Sequence, residues 1–249
     1  MKKSLFRKIL FYISVPTCTA CGDRLDLDDG ALCKRCLPEY RELKKRDCSV
    51  CAKPISRCAC SNQFLENHYV KRLVKVFRYL KHKESAVSNN LIFSLKKDNR
   101  EDVLKFLSSE LEASVRASIP DISEFIVTNV PRRRRAIVKF GIDHSALLAK
   151  RLAKGLGCEY KKLLKSKSKR PQKSLHGKER VKNVEFDIKD ICLKGKRILV
   201  VDDVVTTGAS MGSAAALLHA VGAKETVGAA LAVAYKDKYK PFEYSAPNK

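Results

Sequence analysis

The chain has 249 residues, of which 51 are Lys or Arg and 27 are Asp or Glu, so its formal net charge is +24. Hydrophobic residues make up 45% of the sequence, enough for one α/β domain of ordinary size and a small appendage. No stretch approaches the roughly 20 apolar residues of a membrane span, so a transmembrane protein is excluded, and the charge predicts a surface that attracts phosphate groups.

The first fifteen residues, MKKSLFRKILFYISV, are basic and then apolar, as targeting signals are. Arg7 and Lys8 interrupt the apolar run, however, and no small-residue cleavage site follows it. We therefore expect an amphipathic helix that packs on the segment after it. Contact with the inner face of a membrane is the alternative.

Ten cysteines follow, and eight of them lie between residues 18 and 60. They occur as CTAC, CKRC, CSVC and CAC, separated by eleven, eleven and six residues. Closely spaced pairs bind metal well and rarely cross-link secreted folds, which indicates a reducing, cytoplasmic location. Cys158 and Cys192 stand alone and are expected to be buried thiols.

Four cysteine pairs suit two tetrahedral zinc ions in closed structural sites, which predicts a zinc-ribbon-like module. Interleaved pairing and an iron–sulfur cluster remain open alternatives. Each zinc would contribute on the order of 10 kcal/mol to folding a segment that has little apolar core. The expected ligand sets are Cys18, Cys21, Cys33 and Cys36 for the first ion, and Cys48, Cys51, Cys58 and Cys60 for the second.

The sequence after residue 66 alternates between helical and strand patterns. This alternation predicts an α/β fold with a parallel sheet and helices on both of its faces. We accordingly divide the chain into a cysteine module at 1–66 and an α/β domain at 67–249. The expected helices cover 69–82, 85–96, 101–117, 142–157 and 210–223, the strands cover 124–131, 196–204 and 226–234, and a charged loop covers 161–182.

The segment ILVVDDVVTTGAS, residues 198–210, is the most specific feature. Asp202 and Asp203 close an apolar strand, at the edge where ligands of open α/β sheets bind. Two adjacent carboxylates suit ribose hydroxyls or a ribose-bound Mg²⁺. The loop that follows supplies hydroxyls, a glycine and helix-start N–H groups for a phosphate. Its residues are Thr206, Thr207, Gly208, Ala209 and Ser210.

This segment resembles the phosphoribosyl pyrophosphate signature of type I phosphoribosyltransferases. The whole chain is similar to the ComF family, which pairs a zinc ribbon with such a domain and is linked to DNA uptake in natural transformation. The similarity extends over FRYLKH, NVPRRRR, FGIDHSALLAKRLA and QKSLHGKERVKNVEF, where Gln172, Leu175, Arg180, Asn183 and Phe186 fit the family's pattern. The resemblance implies that Asp202 and Asp203 hold the ribose hydroxyls and that residues 206–210 hold the 5′-phosphate.

The turn after the predicted strand at 124–131 places Arg132 and Arg133 where they would supply cations to the pyrophosphate and its Mg²⁺ and so stabilise the leaving group. Arg180 would close over it as part of a lid. Thr206 departs from purine-salvage relatives, which commonly carry an acid there, and a Thr hydroxyl is a poor general base. Residues 140–144, FGIDH, replace the usual Arg-Gly-Phe-Asn-Gln of ComF proteins. Both departures favour ligand binding over transfer to a base.

Residues 161–182 contain ten Lys and Arg and one acid, Glu179, which predicts a surface that follows a phosphate backbone. Three hypotheses stay open: a phosphoribosyltransferase with an unknown acceptor, a phosphoribosyl pyrophosphate-binding protein, and an adaptor for single-stranded DNA and other DNA-uptake proteins. Phe77, Tyr79 and Phe140 are candidates for base stacking. The candidate DNA contacts are Arg134, Arg135, Lys167, Lys169, Arg170, Lys173 and Arg180.

Overall fold

The computed structural model describes residues 16–26, 29–80, 85–97, 100–132, 142–167, 186–188 and 191–234. Its core is a five-stranded sheet in the order β1-β7-β6-β2-β3, in which every neighbouring pair is parallel. A separate antiparallel pair joins β4 to β5. The strands are β1 Val70–Arg78, β2 Phe125–Asn129, β3 Glu159–Tyr160, β4 Leu164–Ser166, β5 Phe186–Ile188, β6 Arg197–Val205 and β7 Glu225–Val233.

Helices cover both faces of this sheet, as the alternating pattern predicts. The helices are α1 Cys36–Lys45, α2 Gln63–Glu66, α3 Ala86–Lys97, α4 Glu101–Ser118, α5 His144–Leu156 and α6 Ala209–Ala220. The cysteine module, α3, α4 and α5 share one core with one face, whereas α2 and α6 share a second core with the other. The α/β fold class with a parallel sheet and an N-terminal cysteine module is therefore confirmed.

The helix predicted at 69–82 is wrong, because residues 70–78 form the edge strand β1. Val70, Leu73, Val74 and Phe77 have helical spacing, but β1 is buried on both faces, so the period of two that marks a half-exposed strand is absent. Phe77 is fully buried in this strand, which excludes it as a base-stacking residue.

The cysteine module joins the sheet through β1. Cys60 forms a bridge with Arg72, and the N–H of Leu73 donates to the carbonyl oxygen of Ala59 at 2.9 Å. The buried Lys75 side chain extends from β1 to the module, where its Nζ donates to the carbonyl oxygen of Cys60 at 2.5 Å. The second cysteine cluster is thus attached directly to the edge of the sheet.

Of the helices that the structure describes, none is long and apolar enough to cross a membrane. The N-terminal segment 1–15, with its expected amphipathic helix, lies outside the described residues.

Candidate functional site

Asp202 and Asp203 lie near the carboxyl end of β6, the sheet edge at which ligands of this fold class bind. Asp202 Oδ1 accepts a hydrogen bond from Ser145 Oγ at 3.0 Å and one from the N–H of Asp203 at 2.8 Å. Ser145 is buried in the first turn of α5, where the side chain of Asp143 caps the helix by accepting from the N–H of Ala146. Helix α5 therefore fixes the orientation of the Asp202 carboxyl.

Two cations converge on the second carboxylate. The Arg132 guanidinium, which follows β2, forms an ion pair with Asp203, and Lys96 Nζ at the end of α3 lies 3.4 Å from Asp203 Oδ1. The Asp203 side chain is buried, so both pairs are shielded from solvent more than surface pairs are. Three segments that are distant in sequence thus bring opposite charges together at one edge of the sheet.

The two carboxyls of the acidic pair lie in different electrostatic environments. Burial and the neighbouring Asp203 charge raise the pKa of Asp202 to about 7. Nearby, burial and the positive charge of Arg132 lower the pKa of His144, so this imidazole is neutral at physiological pH. A raised carboxyl pKa does not add to the stability of the fold. Its presence at this sheet edge therefore marks a candidate binding site.

We expect Asp202→Asn to raise stability at alkaline pH. As the pH rises, the unfolded chain loses the Asp202 proton first while the folded chain still holds it, so this residue lowers stability increasingly up to its folded pKa of about 7. The variant should gain about 4 kcal/mol in free energy of unfolding at pH ~8, since a pKa raised by about 3 is worth about 1.4 kcal/mol per pH unit, and little at pH ~4. Urea unfolding at both pH values checks this.

Asp203→Asn is the matched control, since it removes the ion pairs with Arg132 and Lys96 and should not stabilise the protein. If Asp202→Asn left the free energy of unfolding unchanged at both pH values, the raised pKa would be contradicted.

The loop after β6 has the geometry of a phosphate cradle. Gly208 is in the left-handed region, with φ +88°, and turns the chain into α6. Thr206 and Thr207 are exposed, and Thr207 Oγ1 accepts from the N–H of Ala209 at 3.3 Å. The N–H groups of the first turn of α6 lie beside these hydroxyls and favour an anion.

Helix α2 lies under this loop. The fully buried Leu65 packs so closely against Gly208 that a Cβ added there would lie 2.7 Å from Leu65 Cγ. Asn62 Nδ2 donates to the carbonyl oxygen of Thr207 at 3.4 Å. The segment that leaves the cysteine module therefore supports the phosphate loop from below.

The sequence analysis placed Asp202, Asp203 and Arg132 in one pocket, and the structure brings these three together. Residues 206–210 follow directly after β6, the strand that carries Asp202 and Asp203. Arg133 lies outside the described residues. Lys96, Ser145 and Leu65 also build this site, and the sequence analysis named none of them, although Ser145 lies in the quoted segment FGIDHSALLAKRLA.

The eight clustered cysteines form two groups with the predicted membership, Cys18, Cys21, Cys33 and Cys36, and Cys48, Cys51, Cys58 and Cys60. Within each group the four sulfurs lie within 4.8 Å of one another. The Sγ atoms of Cys21 and Cys33 are 3.7 Å apart, and those of Cys51 and Cys58 are 3.5 Å apart. Four thiolates around zinc at about 2.3 Å would be about 3.8 Å apart, so either group could hold a metal ion.

Backbone N–H groups favour the thiolate form of one cysteine in each group, whereas burial raises the pKa of others, Cys36 and Cys58 among them. Burial acts to raise the pKa of Cys18, but N–H groups of Cys33, Cys21 and Ala20 outweigh it and lower this pKa to about 7. The same balance of burial against the N–H groups of Val50 and Cys51 lowers the pKa of Cys48 to about 7. Thiolates are the metal-binding form of cysteine.

The two cysteines outside the clusters, Cys158 and Cys192, meet the expectation of buried thiols only in part. Cys158 is half-buried and its thiol donates to the carbonyl oxygen of Ile122, whereas Cys192 is exposed, so its expected burial is wrong.

The structure describes one of the candidate DNA contacts. Lys167 is exposed and forms an ion pair of 3.1 Å with Asp187 on β5. Within the charged loop expected at 161–182, residues 164–166 form β4. The other candidates, Arg134, Arg135, Lys169, Arg170, Lys173 and Arg180, lie outside the described residues, as does Phe140.

Comparison with known proteins agrees with this architecture. The phosphoribosyl transferase domain family matches residues 114–247. A ribose-phosphate pyrophosphokinase of Sulfolobus acidocaldarius is 32% identical over 121 residues, which are 48% of this chain and 37% of that protein. This chain therefore spans little more than a third of the length of that relative.

DNA utilization protein YhgH of Escherichia coli (strain K12) is 27% identical over 221 residues, which are 85% of this chain and 94% of that protein. Among solved structures, a purine phosphoribosyltransferase from Pyrococcus horikoshii has 22% identity and a TM-score of 0.36, covering 52% of this chain and 72% of its own. That score is too low to support an argument. The matched domain shows that the chain belongs to the phosphoribosyl transferase family, and the nearly full-length similarity to YhgH, together with the two cysteine clusters, confirms its resemblance to the ComF family.

Proposed function

We propose that this protein binds phosphoribosyl pyrophosphate with Mg²⁺ at the Asp202–Asp203 edge of the sheet and acts in DNA uptake, in contact with single-stranded DNA. One observation carries the ligand proposal: an acidic pair, two cations and a phosphate loop meet at the carboxyl end of β6. Carboxylates suit ribose hydroxyls, and the loop suits a 5′-phosphate.

The ion pairs of Asp203 fit this ligand. A diphosphate would take over the positive charges of Arg132 and Lys96, and the Asp203 carboxylate would then accept hydrogen bonds from the ribose. Charge-assisted hydrogen bonds of this kind are stronger than neutral ones. Bound Mg²⁺ would neutralise part of the diphosphate charge, and oxygen donors such as these carboxylates are the ligands that it prefers.

The proposed DNA role has a different basis. The relative whose match covers 94% of its length is named DNA utilization protein YhgH. The net charge of +24 on this chain favours the binding of polyanions. We assign the cysteine clusters to two structural zinc ions, because each offers four thiolates and, among the residues that the structure describes, no carboxylate or histidine joins either group. We place the protein in the cytoplasm, with the inner membrane face as a contact for segment 1–15.

Calorimetric titration with Mg²⁺ and phosphoribosyl pyrophosphate tests the pocket. Asp202→Asn/Asp203→Asn should weaken binding about 100-fold or more, since two charge-assisted contacts are lost. Asp121→Asn is a matched control, because Asp121 pairs with Arg197 at the opposite end of the sheet. Wild-type protein that does not bind the ligand would refute the proposal.

The alternative function is a phosphoribosyltransferase with an unidentified acceptor. Pyrophosphate release from the bound ligand in the presence of a screened acceptor, lost in the double variant, would establish it.

A further inference from the structure

A cleft lies beside the second cysteine cluster, apart from the Asp202–Asp203 pocket. Its volume is about 430 Å³, and it separates the cluster from the end of α4. Lys71, at the start of β1, lies on its wall, whereas Asp202 and Asp203 lie toward the carboxyl end of β6. The lining residues that matter below are Val50, Lys53, Arg57, Ser61, Lys71 and Ser118.

Three cations from separate segments face this cleft. Lys53 follows the CSVC pair, Arg57 ends a short 3₁₀ turn, and Lys71 belongs to β1. In the part of the chain that the structure describes, no ion pair joins any of them to a carboxylate, although many other basic side chains here are paired. Glu66 is the one carboxylate on the lining, and among the described residues no ion pair joins it to these cations, so the cations of the cleft outnumber its acid three to one.

Two serine hydroxyl groups also indicate that an anion binds in this cleft. The Oγ atoms of Ser61 and Ser118 are buried and have no hydrogen-bond partner among the described residues. Buried hydroxyls are nearly always paired, so an unpaired one requires an explanation, and here two of them line one cleft. A phosphate group in the cleft would accept from the cations directly, and from either hydroxyl once its serine side chain rotates toward the cleft.

The size of the cleft and its apolar rim favour a nucleic-acid strand over an isolated anion as its ligand. A volume of about 430 Å³ exceeds that of ten water molecules at about 30 Å³ each, which is more than one phosphate fills. Val50 at the rim is 69% exposed and offers apolar contact to a sugar or a base.

We propose that this cleft binds the phosphodiester backbone of single-stranded DNA through Lys53, Arg57, Lys71 and the hydroxyls of Ser61 and Ser118. The inference rests on the DNA contact proposed above and locates it in the cysteine module. The contacts are to phosphate, so binding is expected to be independent of base sequence.

The test compares two variants that lose the same charge. Lys53→Gln/Arg57→Gln/Lys71→Gln changes the cleft, and Lys105→Gln/Lys154→Gln/Lys194→Gln removes three exposed cations that do not line it. Fluorescence anisotropy with labelled oligothymidylate gives the affinity of the full-length, zinc-loaded protein at several salt concentrations.

The cleft variant should have a slope of log affinity against log salt that is shallower by about 2, because each phosphate contact on a single strand contributes about 0.7. The control variant should keep the wild-type slope. Equal losses in the two variants would overturn the inference, since only net charge would then matter. Competition by thymidine monophosphate as effective, per phosphate, as that by oligothymidylate would also overturn it, by showing a site for isolated phosphates.

The serines provide a second readout. Ser61→Ala and Ser118→Ala should each weaken DNA binding a few-fold while leaving the thermal midpoint of the free protein unchanged or higher, because an unpaired buried hydroxyl destabilises the fold. Unchanged DNA affinity in both variants would contradict the assigned contacts.

The outcomes also separate this inference from the proposed function. Wild-type protein that fails to bind oligothymidylate refutes the proposed DNA contact itself. Wild-type protein that binds, with a cleft variant that binds equally well, refutes only the location.

Discussion

Chelation of the metal is expected to unfold the cysteine module, with the largest loss of stability among the changes considered. Each cluster crowds four sulfurs within 4.8 Å, and the buried apolar side chains of the module pack mainly against the helices and the sheet rather than in a core of their own. Structural zinc contributes on the order of 10 kcal/mol per site, which is comparable to the whole net stability of a typical domain. Thermal unfolding with and without a chelator, together with the zinc content per chain, measures the effect.

Paired serine variants make this prediction specific to each cluster. Cys18→Ser/Cys21→Ser and Cys58→Ser/Cys60→Ser should each reduce the zinc content from two ions per chain to one. Cys158→Ser/Cys192→Ser is the control, because these cysteines lie outside both clusters. An unfolding curve that chelation does not shift would contradict a structural role for the metal.

Gly208→Ala is expected to destabilise the protein by about 3 kcal/mol and to weaken phosphoribosyl pyrophosphate binding. An alanine at φ +88° is strained by about 1–2 kcal/mol, and its Cβ would lie 2.7 Å from Leu65 Cγ, which adds about 1–3 kcal/mol. Urea unfolding and calorimetric titration measure the two losses.

Two further variants separate the causes. Gly195→Ala imposes similar backbone strain at φ +74° with nothing within 4 Å of the added Cβ, so it should cost only about 1–2 kcal/mol. Leu65→Ala should relieve the overlap in Gly208→Ala but not the strain. Equal losses in Gly208→Ala and Gly195→Ala would show that the contact with Leu65 is unimportant.

Local patterns in the sequence predicted most of the fold. The cysteine spacings predicted that each close pair acts together, because two ligands from one tight turn bind one ion, but which pairs share an ion stayed open until the structure grouped them. The apolar run ending in Asp202 and Asp203 determined β6 and the sheet edge that carries the acidic pair. Periodicity failed at β1, where burial on both faces and the buried Lys75 gave the spacing of a helix.

Contacts across the sheet could not be predicted in this way. Lys96, Ser145 and Leu65 come from three helices, and each is an ordinary residue in its own segment. Their roles follow from tertiary packing, which places α3 and α5 beside the carboxyl end of β6 and α2 beneath Gly208. The basic cleft is similar, since its cations come from the cysteine module and from β1, which meet at the Cys60–Arg72 bridge.

Helix α2 has one more consequence. It starts three residues after Cys60, the last cysteine of the second cluster, and Leu65 fills the space beneath Gly208. A fragment that began at residue 67 would leave a void under the phosphate loop, and voids of this kind are destabilising. If the metal of the second cluster holds α2 in this place, the proposed metal and ligand sites are coupled, and binding at each then raises the affinity of the other by the same factor.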